Sequence, residues 1–420
     1  MPDQHTVLYQ VLKHVPHARF EELVKAHGSD DAARGLDSQA QLVAMVYGQL
    51  SGAPSLRAIV KDLESHGERL SDLGCGPVRR STLSEANRYR PAALFGDLLD
   101  VVMAQVHRGL RRHVKETTYL IDSTSVRLSA LSERWARFSA KACGAKAHIV
   151  YDPDAGQPVY AAVTPARVTD LTAAKALPIE AGATYVFDLG YYDYGWWADL
   201  HAAGCRIVTR FKTNTPLTIE EERPAPPPTP DGGVILCDRL GRLPERQASR
   251  RTNPFQARVR EVTVRIETGK VLRILSNDLK ATAQEIAALY KRRWAIELFF
   301  RWVKQTLNIR HFVGTSENAV RLQIAVALIA FVLLRLAQAT QDAIKSPLAF
   351  ARLVRTNLMH RRRIDQLLPP PTHPKQRQTT SRQQTGPQPT GRQEAPAGNA
   401  GAPAPPATTK ASEGATPKLT

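Results

Sequence analysis

Apolar and polar positions follow two different periods along this 420-residue chain. Up to about residue 110 the spacing is helical. Apolar residues recur every three or four positions in Gln39–Leu50 and Leu56–Leu63, and Asp37 is placed to cap the first of these helices. In RRSTLSEANRYRP (Arg79–Pro91), Thr82 and Glu85 have capping-box spacing, which predicts a helix starting there, after the turn Gly74–Gly76. From about Thr117 the period becomes two. TYLIDSTSVRL, KAHIVYD and PVYAAVTPA read as strands, the last two joined by the turn DPDAGQ. A helix (Asp170–Ala176), the strand TYVFD, a helix (Asp193–Ala203) and the strand CRIVTRFK follow. Three strands and then helix–strand alternation predict a mixed α/β sheet.

Residues 213–280 open with the Pro-rich run EERPAPPPTPDGG and continue as VILCD, ARVREVTVRIE and VLRILSN. They predict a β-rich insertion in the α/β domain. One helix is then expected over Thr282–Thr306 and another over Glu317–Thr340. The second holds the longest apolar run, Ile324–Leu334, of 11 residues. A bilayer span needs about 20, so the run reads as a buried core helix. The expected organisation is a helical domain (1–112), an α/β domain (113–345), a basic helical segment (346–364) and a tail (365–420). The tail is rich in Pro, Gln and Thr and has too little apolar bulk to offset chain entropy, so disorder is expected there.

Charge narrows the function. Lys and Arg number 57 against 39 Asp and Glu, a net +18. The tail from Asp365 holds six basic and three acidic residues, so most of the surplus lies on the folded part. That balance predicts a polyanionic partner, nucleic acid before a membrane surface. The cysteines Cys75, Cys143, Cys205 and Cys237 form no CxxC pair, which argues against a zinc knuckle or redox dithiol and for a reducing compartment. The first fifteen residues carry no signal-peptide pattern, and a soluble cytoplasmic protein is expected.

Three acids stand out. Between Tyr290 and Arg310 six basic residues accompany one acid, Glu297. At about 100° per helical residue, Tyr290, Arg293, Glu297 and Lys304 fall within roughly 60° of arc, with Ile296, Phe299 and Val303 facing a core. Taken alone, Arg293 and Glu297 read as an intrahelical ion pair. Asp122 follows the apolar residues Tyr119–Ile121, and Asp188 ends the strand Tyr185–Phe187. A carboxylate at the end of a buried strand is costly unless paired. Each aspartate alone reads as a turn or capping residue. Together with Glu297, in so basic a chain, they suggest an oxygen cage for hard divalent cations such as Mg²⁺. Two such ions clamp both oxygens of a phosphoryl transfer. Asp170 and Asp193 each open a helix and read as N-caps, Asp152 and Asp154 as turn residues, and His148 as structural. Arg79, Arg80, Arg88 and Arg90 ride a short helix that either enters a major groove, as in helix-turn-helix proteins, or is an ordinary basic surface helix.

The spacing Tyr290-x2-Arg293-x3-Glu297-x6-Lys304 resembles the Y-R-E-K signature of bacterial insertion-sequence DDE transposases of the cut-and-paste kind. YLIDST around Asp122 and VFDLGYYDYGWWADLHAAGCRIVTRFK around Asp188 resemble the same family, as do QLSGAPSLRAI and RRSTLSEANRYRP. The resemblance spans roughly residues 5–340. It implies an RNase H-like core with an inserted β domain. It implies two Mg²⁺ ions, replaceable by Mn²⁺, with Asp122 bridging both and Asp188 and Glu297 each holding one. Tyr290, Arg293 and Lys304 would grip phosphates at the element end, and Arg210 and Lys212 would touch backbone near the scissile bond or form an exposed basic strand end. Double-stranded DNA (terminal inverted repeats and target), a synaptic homodimer and a nucleoid location are implied as well. Some relatives stack a tryptophan of the insertion on a flipped base in a hairpin route. Residues 213–280 contain no Trp, and Phe255 is their only aromatic residue. Two other classes stay open: a metal-dependent nuclease of the same fold, and an inactive DNA-binding protein kept for its N-terminal helices.

Overall fold

The computed structural model describes residues 5–110, 117–139, 142–227, 233–247, 251–307 and 312–367. The tail expected to be disordered lies, from residue 368 on, outside the described residues.

The N-terminal region is helical: α1 (Val7–Leu12), α2 (His17–Ala26), α3 (Ser38–Ser51), α4 (Leu56–Glu64), the single turn α5 (Gly67–Leu70), α6 (Arg80–Tyr89) and α7 (Ala92–Leu110). Asp37 caps α3, its carboxylate accepting the Ala40 N–H at 2.6 Å. The capping box expected at Thr82 does not start α6. That helix begins two residues earlier, closed by the Leu83 N–H to Arg79 carbonyl bond and held by buried Leu83 and Asn87. Thr82 and Glu85 therefore lie inside it.

The strands are β1 (Thr118–Leu128), β2 (Arg137–Ser139), β3 (Ala142–Asp152), β4 (Gln157–Pro165), β5 (Thr184–Phe187), β6 (Arg206–Arg210), β7 (Thr218–Arg223), β8 (Val234–Arg242), β9 (Val259–Arg265) and β10 (Val271–Ser276). They form one sheet in the order β2-β3-β1-β5-β6-β10-β9-β8-β7, with β4 also paired to β3. Strands β1, β5 and β6 run parallel, and the other pairings are antiparallel. The three-strand meander and alternating crossovers match the expected α/β order. The insertion does not stand apart from this sheet. Its last strand, β10, returns antiparallel to β6, with Ile274 opposite Arg210, and so lengthens the same sheet. The short helices α8 (Glu133–Ala136), α9 (Asp170–Lys175) and α10 (Tyr194–Ala202) lie in the connections. Side chains alternate across the strands. Tyr119, Ile121, Tyr185, Phe187 and Ile207 share one core with Trp196 and Trp197 of α10, while Leu120, Val186 and Val208 face the other.

Four helices close the described chain: α11 (Ala283–Arg292), α12 (Trp294–Thr306), α13 (Glu317–Gln338) and α14 (Pro347–Asn357). Thr282 and Glu285 form a reciprocal capping box at the start of α11. The single helix expected over 282–306 is interrupted at Arg293. There the Arg293 N–H bonds the Tyr290 carbonyl and the Ile296 N–H bonds the Arg293 carbonyl, a tighter three-residue turn. The break lets α11 lie on β5, β6, β9 and β10 while α12 packs on β1 and α13.

Helix α13 is long and apolar enough to cross a membrane by length and composition. Here it is buried in protein instead, as its apolar run suggested, against α1, α3, α6, α7, α12 and α14. Helices α1–α7 thus share one hydrophobic core with α13. The boundary expected near residue 112 is not a boundary in packing.

Candidate active site

The pairing of β1 with β5 ends at Ile121 opposite Phe187. Asp122 and Asp188 are the next residue on each strand, so the two carboxylates leave neighbouring strands at the same level. β5 pairs with β6 up to Val186 opposite Val208. Two residues further on, the same register brings Asp188 beside Arg210. Three polar side chains thus line up just past the parallel-paired stretches of β1, β5 and β6, the side on which open α/β sheets place their ligands. Asp122 itself is mid-strand, because β1 runs on to pair with β3 through Leu128.

Glu297 arrives from the side. In α12, Ile296, Phe299, Phe300 and Val303 are buried, and Phe299 is wedged between Tyr151 of β3 and Phe331 of α13, 5.1 and 5.0 Å from their ring centres. That packing aims Arg293 and Glu297 at the strand ends. The Arg293 guanidinium lies 2.5 Å from Glu297 Oε1 and 3.8 Å from Asp122 Oδ2. The expected intrahelical ion pair is therefore real, and it also reaches Asp122.

The electrostatics record how close these groups are. Burial, then the Asp188 and Glu297 charges, push the Asp122 carboxyl up from 3.8 to about 6, against the Ser123 N–H and Arg293, which favour its ionised form. Burial likewise raises Tyr191, whose hydroxyl feels Asp122, Asp170 and Asp188 in turn and stays protonated. Burial also raises Tyr290, which sits beside Arg293 and Arg210. Burial opposes the Arg293 charge, but Tyr290, Glu297 and Asp122 outweigh it. Among the described residues, no three His, Cys, Asp or Glu side chains close around one point. The donor set nonetheless suits a hard cation. The Asp122 carboxyl feels both the Asp188 and the Glu297 charge, and the cation now between Asp122 and Glu297 is a guanidinium. A Cβ on Gly190 would lie 3.0 Å from Asp188 Oδ1 and 3.7 Å from Asp170 Oδ2, so glycine leaves this cradle open.

The other sequence candidates divide. Tyr290 and Arg293 join the carboxylates, and Arg210 borders them with its Nε buried and without a hydrogen-bond partner. Lys212 sits beside the site with its ammonium 4.4 Å over the Tyr192 ring. Lys304 is half-buried two turns along α12 from Glu297, about 10 Å by helical rise. Arg79, Arg80 and Arg88 are exposed, with Arg80, Ser84 and Arg88 forming one i, i+4 stripe of α6.

Arg90 corrects the sequence reading. Its side chain is buried and reaches Asp30 at 3.0 Å, Gln41 Oε1 at 2.6 Å and the Leu36 and Ser29 carbonyls at 2.8 and 3.0 Å. It ties α6 to the α2–α3 loop and has no face left for DNA. Asp193 caps α10 as expected, but Thr169, not Asp170, caps α9. Trp294 is 55% exposed on α12 beside exposed Leu298. Its i, i+4 relation to Leu298, on the face away from Phe299, was the signal for it.

The family described as Transposase DDE domain matches residues 114–333, just over half the chain. A family described only as a domain of unknown function (DUF4372) matches residues 3–76. This chain therefore belongs to the DDE transposases of bacterial insertion sequences. A Sinorhizobium fredii protein described as a transposase, y4zB, is 40% identical over 296 residues, covering 70% of this chain and 82% of its own. A Geobacillus stearothermophilus protein described as a transposase for the element IS5377 is 29% identical over 294 residues, 69% of this chain and 76% of its own. A piggyBac transposase synaptic complex with hairpin DNA aligns at a TM-score of 0.44 and 12% identity, over 84% of this chain and 80% of that one.

Proposed function

We propose that this protein cleaves DNA at the ends of its own insertion sequence and joins the freed 3′-OH ends to target DNA. The observation that supports the proposal is that Asp122 and Asp188 leave neighbouring strands at one level, with the charges of Asp188 and Glu297 both acting on the Asp122 carboxyl. These three would hold divalent cations, two Mg²⁺ or Mn²⁺ in this reading. When bound, such ions activate the attacking oxygen and neutralise charge developing on the phosphate.

The chain's own residues do the rest. Arg210 Nε and Arg293 Nε are buried donors without acceptors, a pattern that suits phosphate oxygens. Arg293 neutralises Glu297 and Asp122 before any DNA arrives, which keeps the carboxylates together. Tyr290 remains a hydrogen-bond donor because burial disfavours its phenolate. Lys212 and Lys304 extend the basic surface along the strand. Exposed Trp294, on the helix that carries Glu297, is an aromatic available to stack on an unpaired base, whereas Phe255 is fully buried. On α6, Arg79, Arg80 and Arg88 contact the duplex. A homodimer at the nucleoid completes the reading, with each subunit holding the end its partner cuts.

The decisive experiment incubates the purified chain with a duplex copied from the inverted repeats that bracket its gene, plus a target plasmid. Cutting at the element boundary and joined products, both dependent on Mg²⁺ or Mn²⁺ and weakened steeply by salt, are expected. Cutting without joining would mark a nuclease, and binding without cutting a repurposed DNA-binding protein.

Arg90→Met separates structure from recognition on α6. It removes the donor to Gln41 Oε1 and to the Ser29 and Leu36 carbonyls and leaves Asp30 to Ser38 alone, a loss of about 3 kcal/mol in urea unfolding. The folded variant should bind DNA ends as the parent does, while Arg80→Ala should weaken binding without lowering stability.

A further inference from the structure

One acidic side chain near the site is not explained by helix capping. Asp170 is the first residue of α9, but the cap is Thr169, whose hydroxyl accepts the Thr172 N–H. The Asp170 carboxylate instead faces the strands. Its Oδ1 accepts from Ser123 Oγ at 2.7 Å and Lys146 Nζ at 3.0 Å, and lies 3.7 Å from His148 Nδ1. His148 is anchored through its other nitrogen, 2.8 Å from Thr164 Oγ1. Ser123 lies opposite His148 and Ser125 opposite Lys146, so β1 and β3 present these groups together.

One oxygen of Asp170 is tied through Ser123 to Asp122, and the other lies on the Asp188 side. Ser123, which Oδ1 holds by its hydroxyl, donates its N–H to Asp122 Oδ1 at 2.8 Å. Oδ2 lies 3.7 Å from where a Cβ on Gly190 would stand, and the Gly190 N–H donates to Asp188 Oδ1 at 2.7 Å. As a partly exposed ion pair, Asp170 with Lys146 would contribute at most about 1 kcal/mol to stability. A purely stabilising role therefore leaves this placement unexplained.

We propose that Asp170 is a positioning residue of the cleavage centre. Fixed by Lys146, its carboxylate holds Ser123 so that Asp122 keeps its place beside Asp188. This role presupposes the cleavage function proposed above. Outer groups of this kind typically change metal affinity or activity about 10–100-fold.

The test uses the full chain and the variants Asp170→Ala, Lys146→Met and Asp122→Asn. Three quantities are read: the single-turnover cleavage rate, the affinity for the DNA end, and Mn²⁺ binding to the DNA-free protein by electron paramagnetic resonance. Asp170→Ala should cleave about 30-fold more slowly and bind Mn²⁺ about tenfold more weakly. DNA-end affinity and melting temperature should stay close to the parent's, and Lys146→Met should shift the same two quantities in the same direction. An unchanged rate and Mn²⁺ affinity in Asp170→Ala, or a slowing matched by loss of folded protein, overturns the role. Asp122→Asn keeps the two ideas apart. If it still cleaves, the reading of the carboxylates fails. If it is inactive while Asp170→Ala behaves as the parent, only the role of Asp170 fails.

Discussion

Asp122→Asn should abolish strand cleavage and, in the same molecule, stabilise the metal-free protein. The loss follows from removing a charge that two ions would share, several kcal/mol or about a thousandfold in rate. The gain follows from linkage. The Asp122 carboxyl is raised from 3.8 to about 6, so between those pH values the folded state holds more protons than the unfolded one. Folding stability attributable to this group therefore falls as pH rises from about 4 to about 6, and the penalty is complete at pH 7. Asparagine carries no such penalty. At pH 7 it should be about 3 kcal/mol more stable than the parent, since the value of about 6 already includes the attraction to Arg293. Near pH 4 the two should melt together. Added Mn²⁺ should raise the melting temperature of the parent and not of the variant. A variant destabilised at pH 7 would show that Arg293 fully compensates Asp122.

Asp238→Ala should be among the most destabilising substitutions in the protein. Asp238 on β8 and Arg260 on β9 form a two-pronged pair at 2.7 and 2.6 Å, with side chains 5% and 3% exposed. Arg260 also donates to the Ala281 carbonyl, immediately before the α11 capping box. Removing the carboxylate strands a buried guanidinium, at about 3–5 kcal/mol. Replacing both partners together, Asp238→Leu with Arg260→Met, should recover most of that loss. Urea unfolding of the two singles and the double measures it. Because the pair pins the start of α11, the single variants should also loosen Tyr290.

Local signals were legible in the sequence and distant ones were not. Asp37 and Asp193 cap helices through bonds to residues three positions on, so spacing found both. Asp122 and Asp188 stood out because polar residues end apolar strand runs. Arg90 did not reveal itself, since its charge is visible in the chain while Asp30 and Gln41, which bury it, lie 49–60 positions away. The turn at Arg293 was hidden because YKRRWAIELFF keeps a helical period through the break. Asp170 looked like a cap because Thr169 before it is an equally good one. The joining of β10 to β6 crosses more than sixty residues, and no local pattern encodes it.

The burial of α13 by helices from both halves of the chain constrains how such proteins diversify. A chimera that took residues 7–110 from a relative would set foreign side chains against Val320, Leu322, Val326 and Phe331 and lose its fit around that central rod. New end specificities are therefore expected to arise by point changes on the outer stripe Arg80, Ser84 and Arg88, with the inward face of α6 left intact.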